Sequence, residues 1–242
     1  MFSHIFRGAY DLVFPNNCIL CRAHIKTDRS HKILCQSCES SLEPNKPPFC
    51  RHCSRHLEAA DPTSLCQECL QGRHYFSRVW AAAVYNDPMK HLIHLFKYGS
   101  KTSLKNLFSS LILSFVKNYN IDMQRYDLVA PIPLYPTRLR ERGYNQSQLL
   151  AGLLAQEFRI KPSYENLRRI RHTKNQALLG KKERLANISG AFRIQDAAEF
   201  RQKSVLLVDD LLTTGATLSE AARIVKEAGA KDIECLTLAI AN

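Results

Sequence analysis

Eight cysteines in four identical CxxC pairs (Cys18/Cys21, Cys35/Cys38, Cys50/Cys53 and Cys66/Cys69) constrain the first third of this 242-residue chain more than any other feature. All eight lie within 52 residues, with 13, 11 and 12 residues between successive pairs. A CxxC turn sets two sulfurs on one side of a knuckle, and two knuckles complete a tetrahedral shell of four thiolates around Zn²⁺. Such a shell is closed, so the metal is structural. Because the ion lowers the thiol pKa, its binding becomes part of folding. A disulfide scaffold would need an oxidising compartment, and no export signal precedes the cysteines. A redox CxxC wants a flanking βαβ pattern, which the four tandem copies lack. Sequential pairing predicts one zinc site from Cys18, Cys21, Cys35 and Cys38 and a second from Cys50, Cys53, Cys66 and Cys69, joined by the Pro-rich Pro44–Pro48. Interleaved ligation satisfies the spacing as well. Four sulfurs fill each shell, so His24, His31, His52 and His56 read as surface residues, and Cys235, alone in an apolar run, as core.

The remaining composition, 45% hydrophobic and 23% charged, is that of a folded protein. The longest uncharged stretch, Gly143 to Gln156, has 14 residues. A membrane-spanning helix wants about 20, so no integral membrane segment is expected. Apolar residues at Phe2, Ile5, Phe6, Tyr10, Val13 and Phe14 approach helical spacing. Arg7 and Asp11 interrupt them, so the stretch reads as a short docking helix rather than a secretory signal, and a cytoplasmic location is expected.

Charge is unevenly spread. The net is +12, but residues 1–74 carry +2 and residues 75–242 carry +10, with +8 between Arg138 and Arg184 alone. A field of this sign attracts phosphate, whether in a nucleic acid or a small polyphosphate.

From about residue 76 the pattern alternates between strands and helices, which predicts an α/β fold with a parallel sheet covered on both faces. Strands are expected at Val79–Tyr85, Asp127–Pro131, Ser204–Val208 and Ile233–Ile240. Helices are expected at Met89–Lys97, around the Leu104–Phe115 stripe, at Thr137–Phe158 and at Leu218–Ala228, the last stopped by Gly229. The chain thus reads as a zinc-ribbon part, 1–74, and an α/β part, 75–242. Ligands in such sheets bind beyond the carboxyl ends of strands. One of these ends carries Asp209 and Asp210 at its tip, then Leu-Leu, then Thr213, Thr214, Gly215, Ala216 and Thr217. Gly215 lets backbone approach an anion closely, backbone amides from Thr214 to Thr217 point at it with the following helix N-terminus, and Thr213 and Thr217 add hydroxyls. Two carboxylates beside a phosphate cradle need a further role, and sugar hydroxyls or Mg²⁺ supply one. The constellation reads as a sugar-phosphate site. A plain N-capped helix after a buried strand explains a Thr or Asp at the cap, but not the whole run.

Asp209-Asp210-x-x-Thr-Thr-Gly-x-Thr after an aliphatic strand resembles the phosphoribosyl pyrophosphate (PRPP) motif of type I phosphoribosyltransferases. That resemblance implies that the two acids hold the ribose hydroxyls and the turn holds the 5′-phosphate, with Mg²⁺ accompanying PRPP. Asp127-Leu-Val-Ala-Pro-Ile-Pro, Arg138-Leu-Arg-Glu-Arg142-Gly-Tyr-Asn145-Gln146-Ser and Arg171-His-Thr173-Lys-Asn-Gln176, with the cysteine ribbons in front, resemble the ComF family over nearly the whole chain. Membership implies a role in DNA uptake during natural transformation. It also implies handling of single-stranded DNA beside a helicase-like ATPase partner at the inner membrane.

Arg138 and Arg142, four apart, share a helix face, and their guanidinium forks suit bidentate binding of pyrophosphate or DNA phosphate. Lys97, before Gly99, is a weaker candidate of the same kind, since a basic last turn with a glycine stop accounts for it. Arg168, Arg169, Arg171, Lys174, Lys181 and Lys182 read as a track for a longer polyanion. His91 and His94 are one turn apart but have no third metal ligand in view. Two functions follow: a PRPP- and DNA-binding module, or an active transferase whose acceptor nothing in the sequence identifies.

Overall fold

The computed structural model describes residues 16–25, 33–58, 64–72, 74–99, 101–173 and 181–241. The expected docking helix at residues 1–14, His31 and Lys174 lie outside the described residues, as do the side chains of Lys181 and Lys182.

The cysteine segment carries two short helices, α1 (Gln36–Ser40) and α2 (Gln67–Gln71), each starting directly after a cysteine. Among the described residues it makes no separate core. Ile25, Leu34, Leu42 and Cys18 belong to the same buried cluster as residues of the α/β part. A segment this small cannot remove enough apolar surface from water alone, so it borrows the neighbouring core.

The α/β part is built on five parallel strands in the order β1-β7-β6-β2-β3. These are β1 (Arg78–Val84), β2 (Leu128–Pro131), β3 (Lys161–Pro162), β6 (Ser204–Leu212) and β7 (Asp232–Ile240). A separate antiparallel pair joins β4 (Leu167–Arg169) to β5 (Phe192–Ile194). Strands buried on both faces need continuous apolar runs, and Val205-Leu-Leu-Val in β6 is such a run. Leu206, Val208, Leu236 and Leu238 face one cluster, built with α3 (Asp87–Tyr98), α4 (Leu104–Asn118) and α6 (Gln146–Phe158). Val205, Leu207, Ile233 and Cys235 face the other, with α8 (Ala216–Glu227) and the β4–β5 pair. Cys235 is fully buried, as its apolar setting predicts.

β1 is bonded on its second side by the ribbon segment. Asn45 N donates to Ala82 O at 3.0 Å, Val84 N to Glu43 O at 2.9 Å and Val79 N to His52 O at 2.7 Å. Asn45, 1% exposed, also donates from Nδ2 to Ser54 O and Ala81 O. Nearby, the buried Glu234 accepts from Trp80 Nε1 at 2.8 Å and Tyr126 Oη at 2.5 Å and pairs with Arg125 at 3.1 Å, so its charge is met on three sides.

Two sequence expectations change. The helix expected over Thr137–Phe158 is broken into α5 (Pro136–Arg142) and α6. Gly143 closes α5 in the left-handed region at φ 79°, and Asn145 starts α6 by accepting from Ser147 N at 3.1 Å. The strand expected to stop at Val208 runs on to Leu212, so Asp209 and Asp210 lie within β6 rather than at its tip. Pairing with β7 continues to Leu212↔Ile240, while pairing with β2 ends at Pro131↔Val208. The two acids therefore stand just past the end of β2, where successive connections leave the sheet in opposite directions and a crevice opens.

Candidate functional site

The crevice is a cleft of about 660 Å³. Pieces of chain far apart in sequence meet there. The last turn of α3 supplies Lys97 and Tyr98, α5 supplies Arg138 and Arg142, and the first turn of α6 supplies Gln146 and Ser147. The end of β4 and the loop after it supply Arg169, His172 and Thr173, and β6 with the turn after it supplies Asp209, Asp210, Thr213, Gly215, Ala216 and Thr217. Thr214 does not line the cleft; its hydroxyl accepts from Ala216 N at 3.4 Å and braces the turn from behind. Gly215 sits at φ 75° as the residue before α8, a conformation that costs glycine little and other residues more. The positive end of the α8 dipole thus faces the cleft beside the turn.

The two acids are not equivalent. Asp210 is 4% exposed and pairs with Lys97, Nζ to Oδ2 at 2.7 Å, with Gln146 Nε2 at 3.4 Å from the same oxygen. Asp209 accepts from Ser147 Oγ at 2.8 Å and from the backbone N of Asp210 at 2.9 Å. Burial first, and then the charge of Asp210, push the Asp209 carboxyl up to about 7 against the pull of Lys97 and Ser147. Burial acts to lower the Lys97 ammonium, but Asp210 and then Asp209 outweigh it and hold the group above its usual value.

Cations rim the acids. Arg142 lies over the Tyr98 ring at 5.1 Å, and Arg138 reaches Glu141 only at 4.0 Å. Arg169 donates to Thr173 Oγ1, while its Nε and the Oε1 of Gln146 are buried without a hydrogen-bond partner. Orphaned polar atoms of this kind in a cleft call for a ligand that completes them.

The expected polyanion track does not survive intact. Arg169 turns into the cleft, Arg171 is held by the carbonyls of Asn187 and Ser189, and Arg168 pairs with Glu165 at 3.3 Å. The sequence reading gave Ser147 and Gln146 no role, although both fall in a quoted motif. It also missed Arg55, which donates from Nη2 to Thr213 O at 3.0 Å. No local pattern marks such a contact.

The cysteines form two clusters in sequential pairing, Cys18/Cys21/Cys35/Cys38 and Cys50/Cys53/Cys66/Cys69, each with its sulfurs within 4.8 Å of one another. The Cys21–Cys35 and Cys53–Cys66 sulfurs are 3.6 Å apart, close to the roughly 3.8 Å edge of a tetrahedron with Zn–S near 2.3 Å. Burial opposes ionisation of Cys18, but backbone amides of Cys21, Cys35 and Leu20 aimed at its sulfur bring the thiol down to about 6. The donor set fits zinc, and interleaved ligation is excluded. His52 corrects an expectation: far from being a surface residue, it stands with Nδ1 3.5 Å from Cys69 Sγ and Nε2 3.2 Å from Phe76 O. His24 and His56 are exposed, as expected.

The chain matches the model of the double zinc ribbon domain over residues 9–70 and that of the phosphoribosyl transferase domain over residues 145–242. It is therefore a protein of the phosphoribosyltransferase fold fronted by a double zinc ribbon with structural zinc. It is 30% identical over 230 residues to Competence protein F of Haemophilus influenzae, covering 93% of this chain and 97% of that protein. It is 29% identical to the DNA utilization protein YhgH of Salmonella typhimurium, covering 94% of this chain and all of the other. A purine phosphoribosyltransferase from Pyrococcus horikoshii aligns in structure over 58% of this chain and 74% of its own, with 16% identity and a TM-score of 0.35. The chain belongs to the ComF family of competence proteins. Among the described residues no helix is long and apolar enough to cross a membrane.

Proposed function

We propose that the cleft binds PRPP with Mg²⁺ and that the protein serves DNA uptake in natural transformation, binding single-stranded DNA in the cytoplasm. One observation carries the ligand: a buried Asp210 beside a half-buried Asp209, a glycine-opened turn at a helix N-terminus and four cationic side chains (Lys97, Arg138, Arg142 and Arg169) line one cleft. Asp209 and Asp210 accept hydrogen bonds from the ribose hydroxyls, and backbone amides of the turn with the Thr213 and Thr217 hydroxyls take the 5′-phosphate. Arg138 and Arg142 meet the pyrophosphate with bidentate forks, and Arg169 Nε gains a partner there. The acids and Gln146 Oε1 offer the hard oxygen donors that Mg²⁺ takes, and the ion would neutralise pyrophosphate charge.

The relatives' names, a competence protein and a DNA utilization protein, support the role in DNA uptake. The exposed Arg140, the Arg138–Arg142 face and the net basic charge supply the attraction for single strands. A helicase-like ATPase at the inner membrane is the partner such a role implies.

A second reading is favoured by Tyr135 and His172, which lie 5.3 Å apart on the wall of the same cleft and offer a flat acceptor a ring to stack on. In that reading a nitrogen lone pair attacks the anomeric carbon, the bond to pyrophosphate breaks and the nitrogen loses its proton. Arg138 and Arg142 stabilise the departing charge.

Titration calorimetry with PRPP and Mg²⁺ tests the site. Saturable one-to-one binding that disappears in the Asp209→Asn/Asp210→Asn double variant is expected. A folded wild-type protein that takes up no PRPP, or a double variant that still binds it, overturns the reading. Pyrophosphate release across a panel of nucleobases and amines then decides whether transfer occurs.

A further inference from the structure

We propose that the second cysteine cluster sets the geometry of the Thr213–Thr217 turn, so that grip on the sugar phosphate depends on the zinc state of that ribbon; this rests on the cleft being the PRPP site. Two independent contacts make the link. The first is Arg55, two residues after Cys53, whose guanidinium is clasped by Glu68, between Cys66 and Cys69 in the partner knuckle. From there Nη2 donates to Thr213 O at 3.0 Å. The knuckle itself is tied back by Cys50 N donating to Arg55 O at 2.8 Å. One side chain thus spans both halves of the metal shell and ends on the backbone of the turn. A planar fork is suited to hold two acceptors in fixed directions at once, which an ammonium on a flexible stem is not.

The second contact is aromatic. His52, between Cys50 and Cys53, packs its ring at a tilt against His74 at 5.2 Å and Phe76 at 5.1 Å, with His74 and Phe76 stacked at 4.9 Å. Phe76 is 3% exposed, and its ring edge lies beneath the turn: a Cβ on Gly215 would stand 3.9 Å from Phe76 Cζ. The turn is therefore held from the ribbon at Thr213 by hydrogen bonding and at Gly215 by packing. The first cluster has neither contact among the described residues. Its Cys18, Ile25 and Leu34 pack into the core on the other face of the sheet.

A turn that must aim several amides at one phosphate binds only in a narrow range of backbone geometry. Loss of metal from the second cluster frees Glu68 and Arg55 from their knuckles and releases Thr213 O. The expected result is weaker PRPP binding without global unfolding.

Three readouts on the full-length zinc-loaded protein test this. Arg55→Ala should keep its full zinc content, measured by metal release, yet bind PRPP·Mg²⁺ roughly tenfold more weakly, the loss of one charged hydrogen bond. Arg55→Lys should stay weak despite the retained charge. Amide exchange across residues 213–217 should accelerate in Arg55→Ala while β7 stays protected, a local effect that a general packing defect would not produce. Cys69→Ser should lose PRPP affinity more than Cys38→Ser. If either cysteine variant fails to fold, the Arg55 pair still decides. Wild-type affinity and wild-type exchange in Arg55→Ala overturn the coupling. A wild type that ignores PRPP overturns the ligand instead, and the exchange readout still tests the coupling by itself.

Discussion

Lys97 Nζ stands 2.7 Å from Asp210 Oδ2, joining the last turn of α3 to the middle of β6 across the floor of the cleft. Both side chains are largely out of water, so the pair cannot be broken from one side cheaply. Lys97→Met should leave Asp210 charged and under-compensated and destabilise the fold by about 3 kcal/mol. That corresponds to a Tm drop of roughly 6–12 °C for a chain of this size. Adding Asp210→Asn should return part of the loss. Thermal unfolding checks this, and an unchanged Tm in Lys97→Met would mean the pair does not exist in solution.

Affinity for PRPP should depend on pH through Asp209. Its carboxyl is raised to about 7, so it is mostly ionised at pH 8 and mostly protonated at pH 6. A protonated acid loses both charge and acceptor capacity, so binding should be full above about pH 8 and fall by up to tenfold per unit below 7. The stability sign is opposite. The unfolded acid ionises near 3.8 while the folded one keeps its proton to about 7, so ionisation weakens the fold as pH rises between those values. Asp209→Asn should therefore raise Tm at pH 8 and leave it unchanged near pH 3. Calorimetry across pH 6–8.5 and unfolding at the two extremes check both halves; a flat affinity profile in the wild type would refute the first.

Metal removal should be strongly destabilising. The first four-sulfur shell ties knuckles that contribute side chains to the main core, so chelation should lower Tm by more than 10 °C and expose Ile25, Leu34 and Leu42. Two equivalents of zinc per chain are expected on thiol modification, and Cys35→Ser should release one. A stoichiometry below one in the untreated protein would contradict the shared-core arrangement.

The α5 arginines should serve both ligands, and the acid pair only one. Arg138→Ala and Arg142→Ala should each weaken PRPP binding roughly tenfold. Each should also reduce the slope of log affinity for single-stranded DNA against log salt by about 0.7, one phosphate contact apiece. Asp209→Asn/Asp210→Asn should abolish the first and leave the second. Fluorescence anisotropy with a labelled oligonucleotide between 50 and 200 mM salt measures it, and a salt-independent affinity would remove the electrostatic basis for DNA binding.

What the chain made legible was what it writes locally. The Asp209–Thr217 run is contiguous, so strand, acids, glycine and helix start could be read together. The broken α5–α6 helix was readable too, since Gly143 and Asn145 are an ordinary stop and start, but the apolar periodicity on either side masked them. The zinc pairing was not legible because spacings of 13, 11 and 12 residues suit neighbouring and interleaved shells alike. Only the fold brings the sulfurs together. Ser147 and Arg169 were hidden as cleft members for another reason. Each is unremarkable in its own helix or strand and gains meaning from Asp209 or Asp210, which lie far along the chain. Arg55 is the extreme case, 158 residues from Thr213.

The hydrogen bonds that residues 43–52 lend to β1 have a consequence for anyone who dissects this protein. A parallel sheet trimmed of its cysteine segment would display a bare row of amides and carbonyls beside the apolar Trp80-Ala-Ala-Ala, a template for adding strands from other molecules. The isolated α/β half should accordingly self-associate into particles rather than stay monomeric. The ribbon is thus also a solubility device, one that would go unnoticed until it was cut away.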